Sequence, residues 1–265
     1  MKFMSIASGS SGNCLLAGSD NTTILVDAGI SKKRINEGLK KIDMNFSDID
    51  GIFITHEHID HTRALGVISR NHNIPIYATC DTCTYISQMN QLGEFDLNLL
   101  NPINPDVDIN IGDLTITPHS VWHDAVDPVC YSITCDKKKI SIATDLGAYD
   151  DYIINSLKDS DLLLIESNHD IRMLQVGPYP YKTKMRILSD RGHLSNEAGG
   201  SLIKSILNDH IKAIILGHLS KENNYPELAY ETVKLALSDN PYCSDIREFN
   251  LSVASREQCG QLYEL

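Results

Sequence analysis

Along the first third of the chain, apolar positions come in short runs separated by Ser, Gly, Asp and Asn. Residues 2–7, 13–17 and 22–27 read as strands in this pattern, spaced too tightly for helices between them, which predicts antiparallel pairing. A helical pattern over 32–41 follows, then an apolar strand over 51–55, a helix over 62–71 and a strand over 75–78. Asp81 is placed to cap a helix running to about Gln91. The alternating pattern returns at 108–111, 114–118, 131–134 and 140–143, followed by a helix over 150–158 and a buried strand over 162–165. Residues 167–192, with Gly177-Pro178 and Tyr179-Pro180, read as irregular. A helix beginning near Ser195, a strand over 213–216, a helix over 226–237 and a last strand after Ser244 complete the order. Two β-rich stretches, each ending in α/β units with no Gly/Pro/Ser-rich linker between them, predict one α/β domain over residues 1–265. Two sheets packed face to face with helices outside satisfy that order.

Composition narrows the class. Hydrophobic residues make up 42% of 265, and with 16 glycines this fits a globular core rather than a disordered or collagen-like chain. No apolar run reaches the roughly 18 residues a membrane span needs, and Lys2 followed by a stretch broken at Ser8 is no signal peptide. Seven scattered cysteines point to reduced thiols and a cytoplasmic protein. A net charge of −12 argues against general electrostatic coating of nucleic acid, but leaves room for a local basic groove.

The densest chemistry lies in Thr55-His56-Glu57-His58-Ile59-Asp60-His61, directly after an apolar strand. At i and i+2 of an extended segment, His56 and His58 share a side. Asp60 and His61 begin the next turn, where they can face a second ion. Imidazole with carboxylate suits zinc, manganese or iron better than calcium or magnesium. Other polar residues close strands further on: Asp27, His123, Asp145 and His218. His119 also follows a strand, and periodicity does not choose between it and His123. The pair Cys80-x-x-Cys83 has no second pair to complete a zinc site and reads as a helix start. Ser8–Gly12 joins two strands, so it reads as a turn near the metal site rather than a nucleophile elbow.

The His-rich run resembles the metal-binding motif of the metallo-β-lactamase fold, a four-layer αββα sandwich, and the other markers follow in order through nearly the whole chain. The resemblance implies His56, His58 and His123 on one divalent ion. It implies Asp60, His61 and His218 on another, with Asp145 bridging and Asp27 supporting the site from behind. It also favours His123 over His119, through the segment His123-Asp124-Ala125-Val126-Asp127-Pro128. A finer resemblance lies in Ser8-Gly9-Ser10-Ser11-Gly12-Asn13, Glu166-Ser167-Asn168-His169-Asp170, Gly177-Pro178-Tyr179-Pro180, Gly192-His193-Leu194-Ser195-Asn196 and Leu219-Ser220-Lys221-Glu222-Asn223-Asn224. These look like the YycJ/WalJ branch of bacterial proteins with this fold. That branch implies 5′-to-3′ exonuclease action on double-stranded DNA and a link to DNA mismatch-repair proteins.

Similarity to the tRNA 3′-processing endonucleases of the same fold implies that His193, oriented by Glu166, protonates the leaving oxygen, with Asp60 and Asp145 positioning the nucleophile. His169 receives no role. Residues 171–193 carry Arg172, Lys182, Lys184, Arg186 and Arg191 against Asp190 alone, a basic loop suited to phosphates. Tyr179 and Tyr181 are placed to stack on bases or on the neighbouring prolines. The competing readings are a small-molecule phosphodiesterase, with a cyclic nucleotide as its substrate, and an RNA nuclease. The interval from Asp145 to His218 is too short for the extra domain of the large RNA-processing relatives. A homodimer stays open, with no residue to carry it.

Overall fold

The structure, a computed structural model, describes residues 1–238 and 250–265. Cys243 and the start of the strand expected after Ser244 lie outside the described residues. The chain divides into two compact units. One comprises Met1–Ser120, Ala125–Lys137 and Ser255–Leu265, and the other Val121–Asp124 and Lys138–Ala254.

In the first unit, β1 (Lys2–Ala7), β2 (Cys14–Gly18) and β3 (Thr23–Val26) pair antiparallel. β4 (Gly51–Phe53), β5 (Ile76–Thr79) and β6 (Leu100–Ile103) extend that sheet in parallel. Alternation sorts the strands' side chains. Met4, Ile6, Leu16, Leu25, Ile52 and Ile76 join Ile35 and Leu39 of α1 (Lys32–Lys40) in a core cluster. Phe53, from the opposite face, stacks on Tyr77 and meets the edge of Tyr131, whose hydroxyl donates to the Ile54 carbonyl at 2.7 Å. Tyr131 lies on β9 (Val129–Cys135), which pairs with β8 (Leu114–Ser120), itself paired with β7 (Ile109–Ile111).

The second unit is built on the parallel strands β10 (Lys138–Ala143), β11 (Leu162–Glu166), β12 (Ala213–Gly217) and β13 (Leu251–Val253). β11 and β12 are buried throughout, the unbroken apolar signature of a strand covered on both faces. Helices α5 (Asp151–Leu157), α8 (Asn196–Ile206) and α9 (Pro226–Leu237) flank them. Altogether the strands form two mixed seven-stranded sheets. With their flanking helices they make the four-layer αββα class.

Several expectations are corrected. The helix expected over 62–71 is two short ones, α2 (Ile59–Thr62) and α3 (Leu65–Ser69). Between them the Ala64 amide donates to the Ala28 carbonyl instead of continuing the helical ladder. The helix α4 (Cys80–Ser87) starts two residues early and stops short of Gln91, and Asp81 lies inside its first turn rather than capping it. Residues 167–192 are not one irregular loop. They hold α6 (Ile171–Val176), whose N-terminus is capped by the Asp170 carboxylate accepting from Met173 N, and α7 (Tyr181–Ile187). Gly177 ends the first and Pro180 precedes the second, so the turn residues punctuate two helices rather than abolish them. The tail adds β13 and a further strand, β14 (Tyr263–Glu264), against β1.

Candidate metal centre

In the first unit the His-rich run leaves the carboxyl end of β4 and lies over the end of β3. Asp27, just past β3, is 1% exposed and sits at φ 63°, a left-handed conformation that costs a non-glycine residue about 1 kcal/mol or more. Its carboxylate accepts from Thr55 N at 2.9 Å, from the Thr55 hydroxyl, and from His61 Nδ1 at 2.7 Å. With its Nδ1 proton held there, His61 carries its lone pair on Nε2, the tautomer a metal ligand needs. Thr55 Oγ1 also lies 3.0 Å from His56 Nδ1 and 3.1 Å from His61 Nδ1. His56 Nε2 and His58 Nδ1 converge to 3.0 Å, and Asp60 Oδ2 lies 3.5 Å from His61 Nε2.

The Ser8–Asn13 segment is indeed a turn at this cluster. Asn13 Oδ1 accepts from Ser8 Oγ and Gly9 N, and Asn13 Nδ2 reaches His61 Nε2 at 3.2 Å. Asn13 N donates to the Asp60 carbonyl, and Gly29 N to the Asn13 carbonyl. A Cβ on Gly29 would stand 1.5 Å from the Asp60 carbonyl oxygen, which is backbone and cannot swing aside. Gly29→Ala is therefore expected to push the Asp60-His61 segment outward. The cost is about 2–3 kcal/mol of stability, read by urea denaturation, together with a weaker zinc affinity in competition with a chelating dye.

In the second unit the polar residues sit at the carboxyl ends of parallel strands, where open α/β sheets place their ligands. Asp145 (φ 58°) follows β10, Glu166 ends β11 and His218 (φ 55°) follows β12. Two of the three thus hold strained backbone, as Asp27 does. Ligand-capable atoms of Asp145, Glu166, His193 and His218 all lie within 4.8 Å of one another. Glu166 is fully buried, and both its oxygens are already engaged. Oε1 accepts from His193 Nδ1 and His218 Nδ1, each at 2.8 Å, and Oε2 from Leu146 N at 2.8 Å and Leu194 N at 3.2 Å. Burial alone would raise its pKa, but the His193 charge and the imidazole hydrogen bonds outweigh that and hold it well below the ordinary carboxylate range.

Glu166 therefore orients two imidazoles at once, pointing Nε2 of each away from it. His123 donates from Nδ1 to the Gly192 carbonyl at 3.0 Å and sets its Nε2 3.7 Å from Asp145 Oδ1. Its pKa is lowered, chiefly by burial, which favours the neutral ligand form. The donor set of both clusters, imidazoles beside carboxylates with His61, His123 and His218 each anchored through Nδ1, fits divalent transition ions.

His119 belongs elsewhere, between Asp106 Oδ1 at 3.3 Å and Ser132 Oγ at 3.2 Å. Cys80 opens α4 and Cys83 is buried, its thiol pushed up to about 11 by desolvation. The Thr55 hub and the hold of Glu166 on His218 escape the sequence, because both depend on strands far apart in the chain.

His169 is 1% exposed, and neither ring nitrogen has a hydrogen-bond partner among the described residues. Burial pushes its pKa down to about 4. Its neutral form is favoured by folding, so the stability it contributes is complete above pH 6.5 and is lost as pH falls through 4. That amounts to about 3 kcal/mol. Denaturant melts between pH 7 and 4 are expected to show a smaller loss for His169→Leu than for the unchanged protein.

The chain matches the model of the Beta-lactamase superfamily domain over residues 22–218. It is 36% identical over 242 residues to exodeoxyribonuclease YycJ of Bacillus anthracis, covering 91% of both chains. It is 38% identical over 253 residues to exodeoxyribonuclease WalJ of Streptococcus pneumoniae, covering 95% of this chain and 94% of that one. Among solved structures, the metallo-β-lactamase fold protein YhfI of Bacillus subtilis superposes with a TM-score of 0.69 at 18% identity, over 99% of each chain. That last likeness speaks for the fold.

Proposed function

The chain belongs to the β-lactamase superfamily and, within it, to the family of YycJ and WalJ, and on that premise we propose that it is a metal-dependent 5′-to-3′ exonuclease of double-stranded DNA. One observation carries the proposal: the chain that holds the two His/Asp clusters matches two exodeoxyribonucleases over 91% and 95% of its length. By the family resemblance, two divalent ions per chain, zinc or manganese with iron as a third choice, would take their ligands from His56, His58, Asp60, His61, His123, Asp145 and His218. When bound, the ions supply Lewis acidity and lower the pKa of water for in-line attack on phosphorus.

The protein's own groups do the rest. Asp60 and Asp145 accept hydrogen bonds from the nucleophile and orient it. His193 keeps Nδ1 on Glu166 and presents Nε2 to the leaving oxygen, to which it gives its proton. Glu166 is a positioning residue that aims His193 and fixes His218 through hydrogen bonds to the Nδ1 of each. Arg172, Lys182 and Arg191 bring phosphate-binding charge to a chain of net −12. Free thiols among the described cysteines suit a cytoplasmic location, and no helix among the described residues is long and apolar enough to cross a membrane. Mismatch-repair proteins are the partners this reading favours.

A substrate panel tests it. With manganese or zinc supplied, kcat/KM for a blunt DNA duplex is expected to exceed that for an RNA duplex of the same sequence and for 2′,3′- and 3′,5′-cyclic nucleotides. A preference for either of the others would replace DNA as the substrate.

A further inference from the structure

Three exposed apolar residues of the second unit lie along α7 and its C-terminal end. Tyr181, Met185 and Leu188 follow one another at four and three positions, a single helical face. They are 78%, 48% and 40% exposed, and Trp122 is 54% exposed. Only Ile187 of α7 is buried. Such a stripe in water is costly unless something covers it. Three of the residues between are cationic, Lys182, Lys184 and Arg186, and Arg191 lies just beyond.

This helix is fastened to the metal centre at several points. Arg186 pairs with Asp124, whose Oδ1 lies 3.3 Å from His123 Nε2. Past its C-terminus, Gly192 accepts from His123, and His193 N donates to the Ile187 carbonyl at 3.0 Å. Trp122 is fixed beside the same segment: its carbonyl accepts from Gly147 N at 2.7 Å, and a Cβ on Gly147 would lie 2.3 Å from the Asp190 carbonyl. On the other side, Lys184 Nζ ties α7 to the Gln175 carbonyl of α6 at 2.7 Å.

Charge and continuity identify the occupant. Apolar and aromatic groups interleaved with cations, in an otherwise acidic chain, match unstacked bases on a phosphate backbone. The ligand atoms themselves are deep, with His123, Asp145 and His218 at 2% exposure or less. A phosphodiester reaches such groups on a strand drawn out of the duplex, not on one still stacked in it. Resting on the exonuclease reading, we propose that α7 together with Trp122 is an end-opening wedge. Tyr181, Met185 and Leu188 stack against and part the terminal base pairs, and Lys182 and Arg191 hold the freed strand on its way to the ions.

The test compares the metal-loaded full-length enzyme with a Tyr181→Ser, Met185→Ser, Leu188→Ser variant and with Tyr181→Phe. Two substrates are digested, a blunt duplex and the same duplex with three mismatched pairs at the end. The triple variant is expected to lower the blunt-to-frayed rate ratio roughly tenfold, as the loss of base stacking predicts, and Tyr181→Phe to keep it. A 2-aminopurine placed at the end of a phosphorothioate-protected duplex is expected to brighten on binding the unchanged enzyme and not on binding the triple variant. An unchanged ratio, or equal losses on both ends, overturns the wedge while leaving the exonuclease reading intact. Loss of self-association with the ratio unchanged makes the stripe a protein contact and also overturns it. If the unchanged enzyme degrades neither duplex, the exonuclease reading itself fails and the wedge with it.

Discussion

Replacing His58 with alanine is expected to lower DNA hydrolysis by about a thousandfold, equivalent to about 4 kcal/mol of transition-state stabilisation. The magnitude follows from what an ion supplies to phosphoryl transfer, since His58 is read as one of three imidazoles on the first ion. The fold should survive the change. His58 is half-exposed and its ring meets His56 at 3.0 Å, whereas the buried Asp27 carboxylate behind the cluster is engaged by Thr55 and His61. Circular dichroism and urea midpoints close to those of the unchanged protein, with metal content lowered on elemental analysis, would separate a lost ligand from a lost fold. A His58→Ala protein that keeps both its metal and its rate would remove His58 from the ligand set.

Glu166→Ala should be costly in a different way. It strips acceptors from His193, His218, Leu146 N and Leu194 N in a fully buried place. Uncompensated buried partners of this kind cost about 4 kcal/mol, to be read from denaturation. Activity should fall about a hundredfold or more, because two imidazoles lose both tautomer and aim. Glu166→Gln discriminates between shape and charge. Its amide retains one acceptor but turns a donor toward donors, so it should recover part of the stability and little of the rate. A rate loss confined to alanine would instead make Glu166 a packing residue.

Much of this arrangement is legible along the chain, for reasons that are local. The strands 2–7 and 162–165 announce themselves by alternation and by an unbroken apolar run, and the structure has them as Lys2–Ala7 and Leu162–Glu166. Residues that close strands, Asp27, Asp145 and His218, stand out because polar groups there have no core to satisfy them. Their left-handed backbone, invisible in sequence, gives that position its strain. What escapes the sequence is set by distant partners. β6 hides behind Pro102, which is tolerated because β6 lies at the edge of its sheet. The helices α6 and α7 hide among Gly177, Pro178 and Pro180, turn residues that here mark helix ends. Thr55 reads as an ordinary strand terminus until folding brings Asp27, His56 and His61 onto its hydroxyl.

The most direct test uses one blunt DNA duplex labelled at the 5′ end in one sample and at the 3′ end in another, digested with manganese or zinc present. Mononucleotides should be released first from the 5′ label, with the 3′ label kept on shortening strands, and neither should appear with His58→Ala or after chelation. Release led by the 3′ label, or equal release by the His58→Ala protein, would contradict a 5′-to-3′ exonuclease working through these residues.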